Sequence, residues 1–194
     1  MRKVALITDG WRRLFTYAWP AGILQRIRET GEDVNLYIFN STGNWSRDAG
    51  YNRAEYNIYN LPELSDFDGI ILELNNISSP AVLADVISNA KRSGRPVVSI
   101  ANELGDFYYV GIDNYSAMKQ VIAHLHEVHD CKKFWLLVGA QDNYESSCRL
   151  QGMLDYAKEH KIKIDKDDIW YGSFDYKSGL EGYKHLWDRH KELP

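Results

Sequence analysis

Arg149 is the side chain whose type and setting best suit an oxygen-rich ligand. It follows an apolar run (Trp135, Leu136, Leu137, Val138), Gly139 and the polar turn residues 141–143. It then opens a segment in which Leu150, Met153, Leu154 and Ala157 recur at helical spacing. Strand, loop and helix in that order carry a guanidinium, a planar fork of donors, to the carboxyl end of a strand, where open α/β sheets bind ligands. Position alone also suits a solvated arginine.

Other chemistry finds less support. No GxxxxGK[ST], GxGxxG, GxSxG or HExxH occurs, so phosphate cradles, nucleophile elbows and zincin sites have no handle here. His124, His126 and His129 resemble a metal set, but on one helix His126 and His129 share a face and His124 lies off it. No metal and no cofactor is therefore expected. Asp9-Gly10 reads as a turn, and Cys131 and Cys148 as small buried side chains without a disulfide framework. The alternative to binding is an α/β enzyme that uses Asp9 and Asp142 on a small polar substrate.

Composition narrows the partners. The 194 residues are 44% hydrophobic and 26% charged, as in an ordinary globular chain, and 13% aromatic. Many aromatics fall outside the periodic stretches, and Tyr17, Trp19, Trp45, Tyr51, Tyr56 and Tyr59 are candidates for stacking. A net charge of −4 argues against nucleic acid, and the densest basic patch, KEHKIKIDK, reads as a solvated loop. The apolar runs are too short to span a bilayer, and the first residues lack the apolar core of a signal peptide, so no membrane contact and a cytoplasmic location are expected.

The elements that must position these side chains alternate along the chain. Strands are expected over 4–8, 34–40, 69–74 and 96–101, then 134–138 and 169–174. Helices are expected over 18–30, after Ser79-Pro80, along Met118, Val121, Ile122, Leu125 and Val128, around Arg149, and along Leu180, Tyr183 and Trp187. That rhythm predicts a doubly wound α/β fold with parallel sheets in two lobes, a first lobe over 1–110 and a partial second lobe over 111–194, with 101–114 as the crossover. The loops after the first four strands carry DGWRRLFTYAW, NSTGNWSRD, NNISS and NELGDF. Asp142, Asn143, Tyr144, Arg149, Asp175 and Tyr176 follow the strands of the second lobe. Two such edges facing each other would form a cleft suited to a sugar or another polar small molecule.

The run VGIDNYSAMKQVIAHL, then CKKFWLLVG, then SSCRLQGMLDYAKEHKI resembles the central signature of the ligand-binding domain of the LacI/GalR family of transcriptional regulators, a type I periplasmic-binding-protein fold. The matching residues are Val110, Asp113, Asn114, Ala123, His124, Leu125, Lys132, Lys133, Gly139, Arg149 and Gly152. The opening VALITDGWRRLFTYAWPAGI is similar to the family's first strand and helix, with Phe15 at an aromatic position and Gly22 at the helix glycine; DFDGIIL matches its third strand. The resemblance covers essentially the whole chain. It implies a sensor, not an enzyme, that closes on a small sugar-like ligand held between the lobes. Phe15, Trp11 and Trp45 would stack on that ligand, Arg149 would fix its oxygens, and Asn102 and Asp142 would bond its hydroxyls. It further implies a homodimer that passes the change to an output domain.

The departures carry expectations too. Met1 lies almost on the first strand, which leaves no room for the family's DNA-binding helix-turn-helix, and the family's closing segments have no counterpart after Pro194. HDC stands where Gly-His precedes the basic pair, and IAN with Asn102 replaces an acidic residue after the fourth strand. A sensor module cut from a longer protein, with a DNA-binding, diguanylate cyclase or kinase output, is the resulting expectation.

Overall fold

The computed structural model describes residues 1–10, 14–42, 48–75, 77, 79–191 and 194; the side chains of residues 14–16 and 49 lie outside that description. The chain divides into two compact units, Met1–Gly111 and Ile112–Pro194.

The first unit is built on five parallel strands, β1 (Arg2–Asp9), β2 (Val34–Ser41), β3 (Gly69–Glu73), β4 (Val97–Ile100) and β5 (Tyr108–Val110), in the order β2-β1-β3-β4-β5. All four pairings are parallel, as right-handed crossovers through helices require. β1 lies inside the sheet, and its last five residues, Ala5 to Asp9, are all buried. This explains why VALIT is a continuous apolar run rather than an alternation. The strand order reverses at β1, so the chain leaves β1 and β3 toward opposite sides of a crevice at their carboxyl ends.

Three helices accompany this sheet: α1 (Leu14–Thr30), α2 (Ala49–Glu55) and α3 (Pro80–Arg92). The Ser79 hydroxyl accepts from the Val82 amide at the start of α3, Pro80 occupies its first turn, and Gly94 ends it at φ +65°. The core joins Ile7, Ile70, Leu72 and Val97 of the strands to Val86 and Ala90 of α3.

Two segments differ from the sequence expectation. β5 lies within 101–114, expected to be a connection; its three residues are all exposed and pair with β4 at the sheet edge, so no burial pattern marks it. The polar stretch after β2 contains α2 and two 3-10 turns, Tyr56–Asn60 and Leu64–Asp66. Tyr56 and Tyr59, read as free to stack, are instead buried in the core with Leu64 and Phe67, whereas Tyr17 and Tyr51 are exposed.

The second unit has a two-stranded parallel sheet, β6 (Leu136–Val138) and β7 (Ile169–Tyr171), with α4 (Asn114–Glu127), α5 (Tyr144–Glu159) and α6 (Tyr176–His190). Two strands bury little, and the core lies between α4 and α5, where Ile122 meets Phe134, Leu136, Met153, Tyr156 and Ala157. The close approach depends on Gly152: a Cβ there would lie 2.3 Å from the Tyr115 carbonyl oxygen of α4. Ile162 and Ile164 also pack on this core, so KEHKIKIDK is solvated only along its lysine side.

The helix stripes are shallower than their periodicity implies. Of the α4 stripe only Ile122 is buried, and Val121, Leu125 and Val128 are exposed; on α6, Gly182 and Leu186 are buried while Leu180, Tyr183 and Trp187 are not. The cysteines are half-buried rather than buried, and both are free thiols. The three histidines also differ from expectation. α4 ends at Glu127, so helical spacing no longer governs His129, which folds back onto His124, while His126 pairs with Tyr156. Among the described residues no helix is long and apolar enough to cross a membrane.

Candidate functional site

The second unit holds a cavity of about 270 Å³ at the carboxyl ends of its strands, lined among others by Gly139, Ser146, Arg149, Phe174 and Ser178. Two helices begin at its rim. The Asn143 side chain caps α5 by accepting from the Ser146 amide at 2.9 Å, and Asp175 caps α6 by accepting from the Ser178 amide at 2.7 Å. A bond from the Gly172 amide to the Val138 carbonyl at 2.9 Å locks the two strand ends together. The unpaired amides of helix N-termini favour oxygen-rich or anionic groups. The Ser173 hydroxyl, with the Ser178 amide, holds the Asp175 carboxyl below its ordinary range, so the cap stays ionised.

Arg149 lies one turn into α5 and faces this cavity. Its Nε donates to the Asn114 side-chain oxygen at 2.7 Å, and Asn114 donates in turn to Glu145 at 3.2 Å. Glu145 stands 3.9 Å from Nη2 of the same guanidinium. One edge of the fork is thus tethered to α4 and to its own helix, and the other edge is left to meet oxygens across the cavity.

Phe174 lines the same cavity. It has φ +61°, an uncommon conformation for a residue with a Cβ, and its ring lies over Gly139, where a Cβ would come within 2.1 Å of it. Phe174 is 54% exposed, so an aromatic residue and a guanidinium border the same cavity. Rings supply the apolar face, and charged forks the hydroxyl contacts, that a sugar requires.

At the carboxyl ends of the first unit's strands the arrangement is different. Thr8, Asp9, Ser41, Glu73 and Ser99 are all buried, at 1–3% exposure. The Thr8 hydroxyl donates to Glu73 at 2.8 Å, and the Tyr59 phenol donates to the Thr8 carbonyl at 2.9 Å. Burial, and then the nearby Asp9 carboxylate, push the Tyr59 phenol far above its ordinary range. Asp9 is therefore not an exposed turn residue but one of two buried carboxyls brought to the ends of adjacent strands.

The six residues expected to bind ligand fall out as follows. Arg149 lines the second unit's cavity; Asp142 is exposed in the β6–α5 loop and is not among the residues lining it. Asn102 is half-buried just beyond β4, where its carbonyl accepts from the Ser99 hydroxyl. Trp11 and Trp45 lie outside the described residues, as does the side chain of Phe15, whose backbone belongs to α1. Sequence reasoning missed Phe174, Asn114 as the tether of Arg149, and Glu73. A glutamate inside the apolar strand GIILEL is the signal that could have marked Glu73, and an aromatic directly before the capping Asp175 could have marked Phe174.

The fold is that of the periplasmic-binding-protein-like ligand-binding domains, with parallel sheets in an α/β arrangement. The chain is similar to a LacI-type transcriptional regulator from Bacillus cereus subsp. cytotoxis, at 21% identity and TM-score 0.74, over 100% of this chain and 66% of that one. It is similar to a periplasmic solute-binding protein of an ABC transporter from Actinobacillus succinogenes with bound D-allose, at 15% identity and TM-score 0.74, over 100% and 66%. It is also similar to a sugar-binding LacI-family regulator from Escherichia coli complexed with phosphate, at 19% identity and TM-score 0.70, over 97% and 64%. The chain thus spans just under two thirds of the length of each. No family model and no curated protein matches the sequence.

Proposed function

We propose that this chain is a sugar-sensing domain, a binding rather than a catalytic module, in which the carboxyl-edge loops of each unit supply groups to one small polar ligand. The observation that carries this reading is that a tethered Arg149 and the exposed Phe174 line one cavity, at two helix N-termini. The fold supports it, since the similar solved chains are named as regulators and a solute-binding protein, two of them sugar-binding or sugar-bound. On the first unit, Asn102 would contribute to hydroxyls, with Trp11, Phe15 and Trp45 as stacking surfaces; Asp142 would meet the ligand from the rim of the second unit. A ligand that touches both units stabilises whichever arrangement it binds better, and that difference is the signal. The chain would act as a homodimer in the cytoplasm, with a DNA-binding, diguanylate cyclase or kinase output.

The test is a thermal-shift screen against hexoses, disaccharides, sugar phosphates, nucleosides and amino acids. Ligand at about a hundred times its Kd should add about 2.7 kcal/mol of stability. The expected result is a saturable rise in Tm for one class of sugar, with Kd raised at least tenfold by Arg149→Ala and by Phe174→Ala. A shift that survives both substitutions would contradict this placement, and turnover of the ligand would contradict a binding role.

A further inference from the structure

The last turn of α4 and the turn that follows it each carry an imidazole, and ligand binding at the cavity uses neither. Nε2 of His129 lies 3.1 Å from Nε2 of His124, with the rings 4.9 Å apart and nearly perpendicular. Both side chains are exposed. We infer that this pair is a two-histidine site for a borderline divalent transition-metal ion such as Zn²⁺ or Ni²⁺.

The geometry is that of two ligands in cis. With metal–nitrogen bonds of about 2.0–2.1 Å, nitrogens 3.1 Å apart subtend about 100° at the metal, between the octahedral and tetrahedral angles. Imidazole nitrogen is the donor these ions prefer. Among the described residues no three His, Cys, Asp or Glu side chains form a group that could hold a metal, so water completes the shell.

The backbone, not the imidazoles, brings the pair together. The Val128 amide donates to the His124 carbonyl at 3.0 Å and the Cys131 amide to the Leu125 carbonyl at 3.1 Å, while Asp130 takes φ +53° to reverse the chain. His129 is thereby folded back over the last turn of α4 before any ion arrives, and less conformational freedom has to be lost on binding. Electrostatics favour a cation there, because His124 belongs to the carboxyl-terminal turn of α4, where the helix dipole is negative. The nearest lysine in sequence, Lys132, is paired with Asp130 at 3.2 Å.

A bound ion would clamp the turn to the helix end and raise the stability of the second unit through binding to the folded state alone. The experiment is calorimetric titration of EDTA-treated protein with NiCl₂ and with ZnCl₂, together with Tm before and after renewed chelation. One ion per chain is expected, with a rise in Tm reversed by EDTA. Affinity should fall at least tenfold in His124→Ala and in His129→Ala, and hold in His185→Ala. Circular dichroism would check that these surface variants fold. Absence of binding would show a merely hydrogen-bonded pair and overturn the inference. So would binding that survives both substitutions, or one ion shared by two chains.

Discussion

The two units use the same parallel strand–helix grammar but spend their buried polar groups differently. In the first, four of the five strands bury a layer of hydroxyls and carboxyls (Thr8, Asp9, Ser41, Glu73, Ser99) toward their carboxyl ends, and the Tyr59 phenol bonds into it. In the second, two strands cover almost nothing, the core moves to the α4–α5 contact, and the strand ends open into a cavity bounded by Arg149 and Phe174. A broad sheet can satisfy polar groups internally and stay closed. A narrow one leaves helix N-termini, a ring and a guanidinium facing outward, which is what a ligand needs. On the proposed reading, the sharper recognition chemistry belongs to the second unit.

The largest effect should separate the two cores. Leu72, fully buried in β3, and Leu136, buried in β6, are strand leucines in each unit. Leu72→Ala should cost about 3–5 kcal/mol in denaturant unfolding, whereas Leu136→Ala, in a thin sheet whose surroundings can collapse, should cost about 2–3 kcal/mol. Equal costs would erase the distinction.

Gly152→Ala comes next. The added Cβ would sit 2.3 Å from the Tyr115 carbonyl, so α4 and α5 must move apart, at about 1–3 kcal/mol. Amide exchange should speed up in the second unit's helices. If it does not, the core of that unit lies elsewhere.

The smallest effect concerns the buried phenol. Tyr59→Phe removes one hydrogen bond to the Thr8 carbonyl and should cost about 1 kcal/mol between pH 7 and 9. Because folding raises the phenol's pKa, its contribution is whole below the unfolded value of about 10 and is lost as pH rises beyond it. The gap between parent and variant should therefore narrow above pH 10. A constant gap would mean that Tyr59 is not shielded.

The same contrast explains how far the sequence could be read. The strand–helix rhythm, the Ser79-Pro80 start of α3 and the surroundings of Arg149 were all legible, because each rests on local spacing. β5 was not, since a fully exposed edge strand leaves no periodic trace. The Tyr56–Asn60 turn was hidden because tyrosines, not aliphatic residues, supply its burial, and α2 because none of its described side chains is buried. Glu73 escaped because its partner Thr8 is 65 residues away and meets it only through strand pairing. The histidines were misassigned because a helical period was extended past the end of α4. Phe174 depends on a positive φ and a facing glycine, and neither is visible as a pattern.

The most direct test of the recognition assigned to the second unit is a ¹H–¹⁵N NMR titration with whichever sugar raises Tm. Saturable shifts should appear at the Gly139, Gly172 and Ser178 amides and at the Trp170 indole N–H, all of which border the cavity, and should vanish in Arg149→Ala. Saturable binding that leaves these four signals unmoved would contradict the account.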